Sequence, residues 1–347
     1  MESKILLEYR DSKTGLIDMD RFKMENPNVI TFSEDRGTPG RDKKWILFDD
    51  QKVLIRNEYM DKTNVLYTVY QELIFEELAK QVNFPCTHYD IGKRGGKKCA
   101  LSNNILDLPE NKGLAMMSLR ELMDQLETTD YYDNVYNIAD ALRAISNHCT
   151  CVKLEKEEQM EVMRDFCKMQ ILDCFLSSSD RHVENISFVY GKDKKTGKYI
   201  FKLSPLYDNE LSCGSDETNE KMEECINDFF QAKLTANLQN VFATVYESEM
   251  SDESQKRNKN NPTGALLEFC MDLDEDIQDF SKKCYDKLNM VLAIKSVENR
   301  IGVELPKIYK EFLIGNYMER KNMIKNILDK YYTQGGEKWY LKSFGKI

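Results

Sequence analysis

Apolar residues follow two rhythms along the chain, and the change near residue 113 divides it. In the first part, short β-branched and aromatic runs alternate with turn residues. Trp45, Ile46, Leu47 and Phe48 form one run and Val53, Leu54 and Ile55 another, separated by Asp49, Asp50 and Gln51, which predicts two strands. Just before them, Gly37, Pro39 and Gly40 break any regular pattern and predict a flexible loop. Leu66, Val69, Tyr70 and Leu73 recur at three- and four-residue steps, which predicts a helix over residues 64–82 that stops ahead of Pro85. A further strand pair is expected at 87–91 and 99–101, joined by the basic glycine turn 92–98.

Beyond residue 113 the rhythm is mostly helical. Residues 116–126, 135–148 and 157–176 each gather apolar side chains on one face. One β-like island interrupts them, 186–190 and 199–203 around the polar turn GKDKKTGK, and reads as a hairpin. Residues 216–347 are helical again apart from the polar loop SDESQKRNKNNPTG. The expected class is α+β, with a small β-rich N-terminal lobe over 1–110 and a larger, mainly helical C-terminal lobe over 111–347.

Length supports two lobes, because 347 residues exceed what one core holds, roughly 250–300. The charge, 49 − 59 = −10, argues against unaided nucleic-acid binding, which needs excess Lys and Arg. Hydrophobic residues at 41% exclude a disordered chain. No apolar run is long enough to span a membrane, and the start MESKILLEYRDSK lacks the features of a signal peptide. The expected location is cytoplasmic, or secreted as an effector without a Sec signal. Ten cysteines without a CxxC pair read as reduced thiols.

Chemistry concentrates in LSSSDRHVENISFVY and, after the hairpin, LSPLYDNE. Asp180 and Asn185 are five residues apart in a loop between a helix and a strand, and Asp208 follows 28 residues after Asp180. Phosphoryl transfer from ATP needs a carboxylate to orient the acceptor hydroxyl and oxygen ligands to hold Mg²⁺ against the phosphates. Kinases draw the first from D-x-x-x-x-N, whose Asn is also a metal ligand, and a second ligand from a later Asp after a hairpin. The order, spacing and setting here are the same.

On these motifs the sequence resembles the HipA-like family of bacterial Ser/Thr kinases, over the β-lobe from about Arg36 through ELIFEELAK and over residues 171–212. The loop D-R-H-x-x-N-I is also similar to that of phosphatidylinositol kinases, while P-L-Y-D favours the HipA-like reading. The resemblance implies a bilobal protein-kinase-like fold, ATP and Mg²⁺ as cofactors, Asp180 as catalytic base, and Asn185 and Asp208 as metal ligands. It implies that Arg181 and His182 fix the loop near the γ-phosphate, with simple pairing to nearby acids as the alternative. Gly37, Thr38 and Gly40 would form the flap over the phosphates, although RGTPGRDKK is not G-x-G-x-x-G. Ser33 and Thr38 are candidate autophosphorylation sites. Asn103 would lie in the segment 101–106 that contacts the adenine edge.

The family carries a lysine for the α- and β-phosphates where this sequence has Leu54-Ile55-Arg56. Arginine keeps the charge, but its planar fork does not substitute geometrically for an ammonium. Three explanations stay open: a weakened enzyme, substitution by Lys43, Lys44 or Lys52, or an arginine that suffices. The partner carboxylate would be Glu72, with Glu77 as the alternative. His88 has no motif around it. His148, in H-C-T-C, lacks the spacing of a zinc site, so Cys149 and Cys151 read as packing residues.

The expected function is an autophosphorylating Ser/Thr protein kinase acting on a protein substrate. The alternatives are a nucleotide-binding pseudokinase or effector module, motivated by Arg56, and a lipid or small-molecule kinase. The last is opposed by the lack of a basic cluster for an anionic membrane. HipA-like toxins often pair with a DNA-binding antitoxin, so an antitoxin is a possible partner; no helix-turn-helix pattern stands out in this chain.

Overall fold

The computed structural model describes residues 4–33, 43–48, 51–58, 60–61, 64–65, 67–126, 135–194, 196–238, 243–246, 249–258 and 261–333. Two compact units emerge. The first comprises Met1–Lys112, Pro205–Gln231 and Asn289–Gly315; the second comprises Gly113–Ser204, Ala232–Leu288 and Asn316–Ile347. The class is α+β, as the sequence predicted.

In the first unit the strands are β1 (Ile17–Asp18), β2 (Ile30–Ser33), β3 (Lys43–Phe48), β4 (Gln51–Asn57), β5 (Met60–Asp61), β6 (Asn64–Val65), β7 (Tyr89–Arg94) and β8 (Lys97–Asn103). Six form one sheet in the order β1-β7-β8-β4-β3-β2, and β5 pairs with β6. The β7–β8 turn is tighter than predicted. Arg94 faces Lys97 across two residues, Gly95 and Gly96, with φ of +57° and +80°. That is a hairpin loop glycine accommodates without steric cost.

One face of the sheet carries Ile46, Val53, Ile55, Cys99 and Leu101, which pack with Leu6, Ile17, Met19 and Phe22 into a core. Leu6 lies on α1 (Lys4–Leu7), and Met19 and Phe22 lie on α2 (Met19–Glu25), whose first turn is capped by Asp18 accepting from Arg21 N. Side chains alternate along a strand. With Val53 and Ile55 in that core, Arg56 lies on the opposite face, with Lys43 and Ala100 as its cross-strand neighbours.

The helix α3 (Thr68–Gln81) starts later than its apolar spacing predicted. Asn64 and Val65 are held in the β5–β6 hairpin, so the first turn of the predicted helix is lost to strand pairing. At its end Asn83 takes φ of +56° and Phe84 N bonds to Ala79 O at 2.9 Å, ahead of Pro85. α3 buries polar residues along with apolar ones: Gln71, Glu72 and Glu76 are at most 2% exposed beside Val69, Leu73 and Leu78.

In the second unit, β9 (Ala115–Ser118), β11 (Ser187–Lys192) and β12 (Tyr199–Leu203) form one sheet, and β10 (Tyr136–Asn137) pairs with β13 (Ala243–Thr244). The hairpin is where the sequence put it. The helix expected over 116–126 is corrected: Met116 and Met117 pair with Val189 and Phe188, and only Leu119–Met123 is helical, started by a Ser118–Glu121 capping box. Likewise Tyr136 and Asn137 are β-paired, so the next helix begins at Ile138, capped by Asn137, and runs to Cys151. The helix Lys156–Leu176 matches its prediction within one residue and ends where Ser177 enters the left-handed region at φ +48°. Buried Arg320, on the helix Lys307–Thr333, donates to Cys174 O at 2.8 Å and Ala236 O at 3.1 Å, fastening that helix end.

All ten cysteines are free thiols. Cys149 is buried, and the neighbouring His148 ring packs on Phe201 at 4.5 Å, in keeping with a packing role, whereas Cys151 is exposed at the helix end, so the packing expectation is corrected for it. Among the described residues, no helix is long and apolar enough to cross a membrane.

Candidate active site

The chain passes from the second unit to the first between Ser204 and Pro205. There, Leu206 N bonds to Pro85 O at 3.0 Å and Thr87 N to Leu206 O at 2.8 Å, pinning the start of the loop after β12. Asp208 then adopts φ of +56°, unusual for a non-glycine residue, and its N–H donates to the Tyr89 hydroxyl at 3.0 Å. Burial pushes the Tyr89 phenol up, so it stays neutral and able to accept. The next N–H, of Asn209, donates to Glu72 Oε2 at 3.0 Å.

Into this loop points Arg56, only 4% exposed. Its Nη1 donates to Asp208 Oδ1, its Nη2 to Glu72 Oε1, and its Nε lies 3.5 Å from Glu210 Oε2. Lys43, its cross-strand neighbour, places Nζ 3.6 Å from Asp208 Oδ2. Two cations side by side on a sheet repel, and here three carboxylates offset that. Glu72 therefore ties β4, α3 and the Asp208 loop together. Glu77 does not reach Arg56; it bonds to Ser296 Oγ at 2.5 Å and Arg300 Nη1 at 3.1 Å.

Carboxylate oxygens of Glu72, Asp208 and Glu210 all lie within 4.8 Å of one another. Hard oxygen donors of this kind suit Mg²⁺. Asp208 is the most open of the three, its side chain 12% exposed against 0% for Glu72 and 2% for Glu210. Of the three, its oxygens are the ones a metal could reach most readily.

In the second unit, Asp180 and Asn185 come together by a local bond: Asn185 Nδ2 donates to Asp180 O at 2.8 Å and approaches Asp180 Oδ2 at 3.4 Å. With its amide nitrogen committed, Asn185 has its amide oxygen as the atom that could hold a metal. His182 Nδ1 accepts from Glu184 N at 3.2 Å, which places the ring proton on Nε2, 3.7 Å from Asp180 Oδ1. Arg181 turns inward instead, pairing with buried Asp173 at 3.1 Å and donating to Asn185 O at 3.4 Å. Burial pushes the Asp173 carboxyl above its ordinary range, against the opposing pull of Arg181. The loop is thus fixed from below by the Arg181–Asp173 pair.

Asn103 shares a sheet face with Val53, its cross-strand partner, opposite to that of Arg56. It lines a small pocket with Leu6, Ile17, His88, Asp90 and Leu101. Ser33 closes β2. Gly37, Thr38 and Gly40 lie outside the described residues. Sequence reasoning missed Glu210, Tyr89 and Asp173. One signal was available for Glu210: an arginine in place of a lysine carries more fixed donors and calls for a further acceptor nearby.

No family model matches the sequence, and no curated protein matches it. Solved structures do. The Helicobacter pylori proinflammatory kinase CtkA aligns over 85% of this chain and 92% of its own, at 14% identity and a TM-score of 0.61. HipA from Shewanella oneidensis, in a complex with HipB and operator DNA, aligns over 89% of this chain and 70% of its own, at 12% identity and a TM-score of 0.49. The CtkA likeness carries the conclusion, and it agrees with the architecture expected from D-R-H-x-x-N and P-L-Y-D. The chain has a protein-kinase-like fold similar to that of CtkA.

Proposed function

We propose that the chain is an ATP- and Mg²⁺-dependent protein kinase that transfers the γ-phosphoryl group to serine or threonine, its own or that of another protein. The observation that carries this reading is the buried Arg56, bonded at once to Glu72 and Asp208. In kinases a basic residue paired with a helix carboxylate contacts the phosphates, beside an aspartate that binds metal.

Mg-ATP, when bound, supplies the phosphoryl group and the charge that holds it. Asp208 and the amide oxygen of Asn185 would be the metal ligands. Arg56 would contact the phosphates, kept in place by Glu72. Asp180 would accept a hydrogen bond from the acceptor hydroxyl and so orient it, while His182 Nε2–H lies on the other oxygen's side. Such a site accelerates transfer chiefly by positioning and charge stabilisation. The test is transfer of labelled phosphate from Mg-ATP to the protein itself or a generic protein, abolished in Asp180→Ala and Asp208→Ala. Transfer that persists without both carboxylates overturns the reading.

The hold of Arg56 on Asp208 favours one second reading, a nucleotide-binding module without transfer. Stabilisation by Mg-ATP with no labelled product distinguishes it.

A further inference from the structure

Glu210 is a buried carboxylate of this cluster that the kinase reading leaves without a task. It is 2% exposed, and its carboxylate faces the one edge of Arg56 that neither Glu72 nor Asp208 occupies. A guanidinium is a planar fork whose donor edges have fixed directions, whereas an ammonium is a point charge with rotatable donors. A lysine here would have no Nε–H edge to satisfy. Glu210 therefore places an acceptor on an edge that an arginine has and the lysine of the kinase pattern lacks.

Asp208 has two competing partners on the kinase reading, Arg56 and the metal. Held by Glu72 alone, Arg56 would depend on Asp208 to satisfy its remaining donors and would contest it with a cation. We propose that Glu210 is a positioning residue for Arg56: it secures the Nε edge, so the guanidinium stays aimed while Asp208 is given over to a divalent cation. This deepens the kinase reading and rests on it.

The test is thermal stabilisation of the full chain by ATP, titrated with Mg²⁺, in the wild type, Glu210→Gln, Arg56→Lys and the double variant. Glu210→Gln is expected to raise the Mg²⁺ concentration for half-maximal stabilisation roughly tenfold, a coupling usual for side chains in contact. In the Arg56→Lys background the same change is expected to shift it by less than about twofold, as an uncoupled site would. A merely structural Glu210 would lower the ligand-free midpoint in both backgrounds and leave the Mg²⁺ requirement unmoved, and that result overturns the proposal. Equal shifts in both backgrounds overturn it too. If Glu210→Gln does not fold, Glu210→Asp, which keeps the charge but withdraws it from Arg56, replaces it in both backgrounds: a shift that Arg56→Lys suppresses supports the proposal, and no shift or equal shifts sink it. A wild type with no Mg-ATP stabilisation removes the nucleotide reading together with the proposal, so the two failures are distinguishable.

Discussion

Arg56 and Glu72 form an ion pair that ties β4 to α3, with side-chain exposures of 5% and 0%. Breaking a buried pair from one side costs more than the pair contributes, because the other charge is left without a partner. Arg56→Met removes the buried cation that three carboxylates share. It is expected to cost about 3–5 kcal/mol and to lower the calorimetric midpoint by roughly 10 °C. A midpoint unchanged within error would show that the cluster is solvated rather than buried.

Glu76, on the same helix, reports on acid stability. Burial disfavours its charge, but His88 at 2.7 Å, Arg300 at 3.0 Å and Lys80 at 2.7 Å outweigh that and hold its carboxyl down at about 2, against an ordinary 4.5. A carboxyl lowered in the folded state stabilises it fully above its unfolded value and ceases to do so as pH falls through the folded one. The contribution is about 3 kcal/mol. The stability difference between wild type and Glu76→Gln, read by urea denaturation, is expected to be constant above about pH 5 and to shrink as pH falls toward 2. A pH-independent difference would contradict the assignment.

Asp180 and Asp208 have separable tasks. Asp180→Asn is expected to cut phosphoryl transfer by about 10²–10⁴-fold while leaving stabilisation by Mg-ATP in place. Asp208→Asn is expected to remove that stabilisation, worth about 2.7 kcal/mol at a hundredfold excess over Kd. Parallel transfer and thermal-shift assays check both. Equal loss of binding in the two variants would contradict the division.

Arg181 supports the Asp180 loop rather than facing outward. With Asp173 0% exposed and Arg181 2% exposed, Asp173→Asn leaves a buried guanidinium without its counter-charge. The expected cost is about 3 kcal/mol, with protection of the Asn185 amide reduced in hydrogen exchange. Unchanged exchange there would mean that the loop holds itself.

How much of this was legible in the sequence follows from the range of each interaction. Asn185 reaches Asp180 across five residues, a local bond that D-x-x-x-x-N announces. Arg56 meets Glu72 and Asp208 across 16 and 152 residues, so only a family pattern could join them. Helical spacing alone could not choose between Glu72 and Glu77, because both are carboxylates on one helix; burial against Arg56 decides it. Residues 116–118 read as helix because an apolar run of that length fits either period, and the partner that makes it a strand, β11, is distant in sequence. Glu210 looked like any soluble acid. Its one signal was indirect, the arginine at position 56 that calls for a further acceptor.

The most direct measurement is the intact mass of the purified protein after incubation with Mg-ATP, beside Asp180→Ala and Asp208→Ala. The account predicts added phosphoryl groups on wild-type serine or threonine and none on either variant. Phosphorylation that survives both substitutions, or a wild type that neither binds nor consumes ATP, would contradict it.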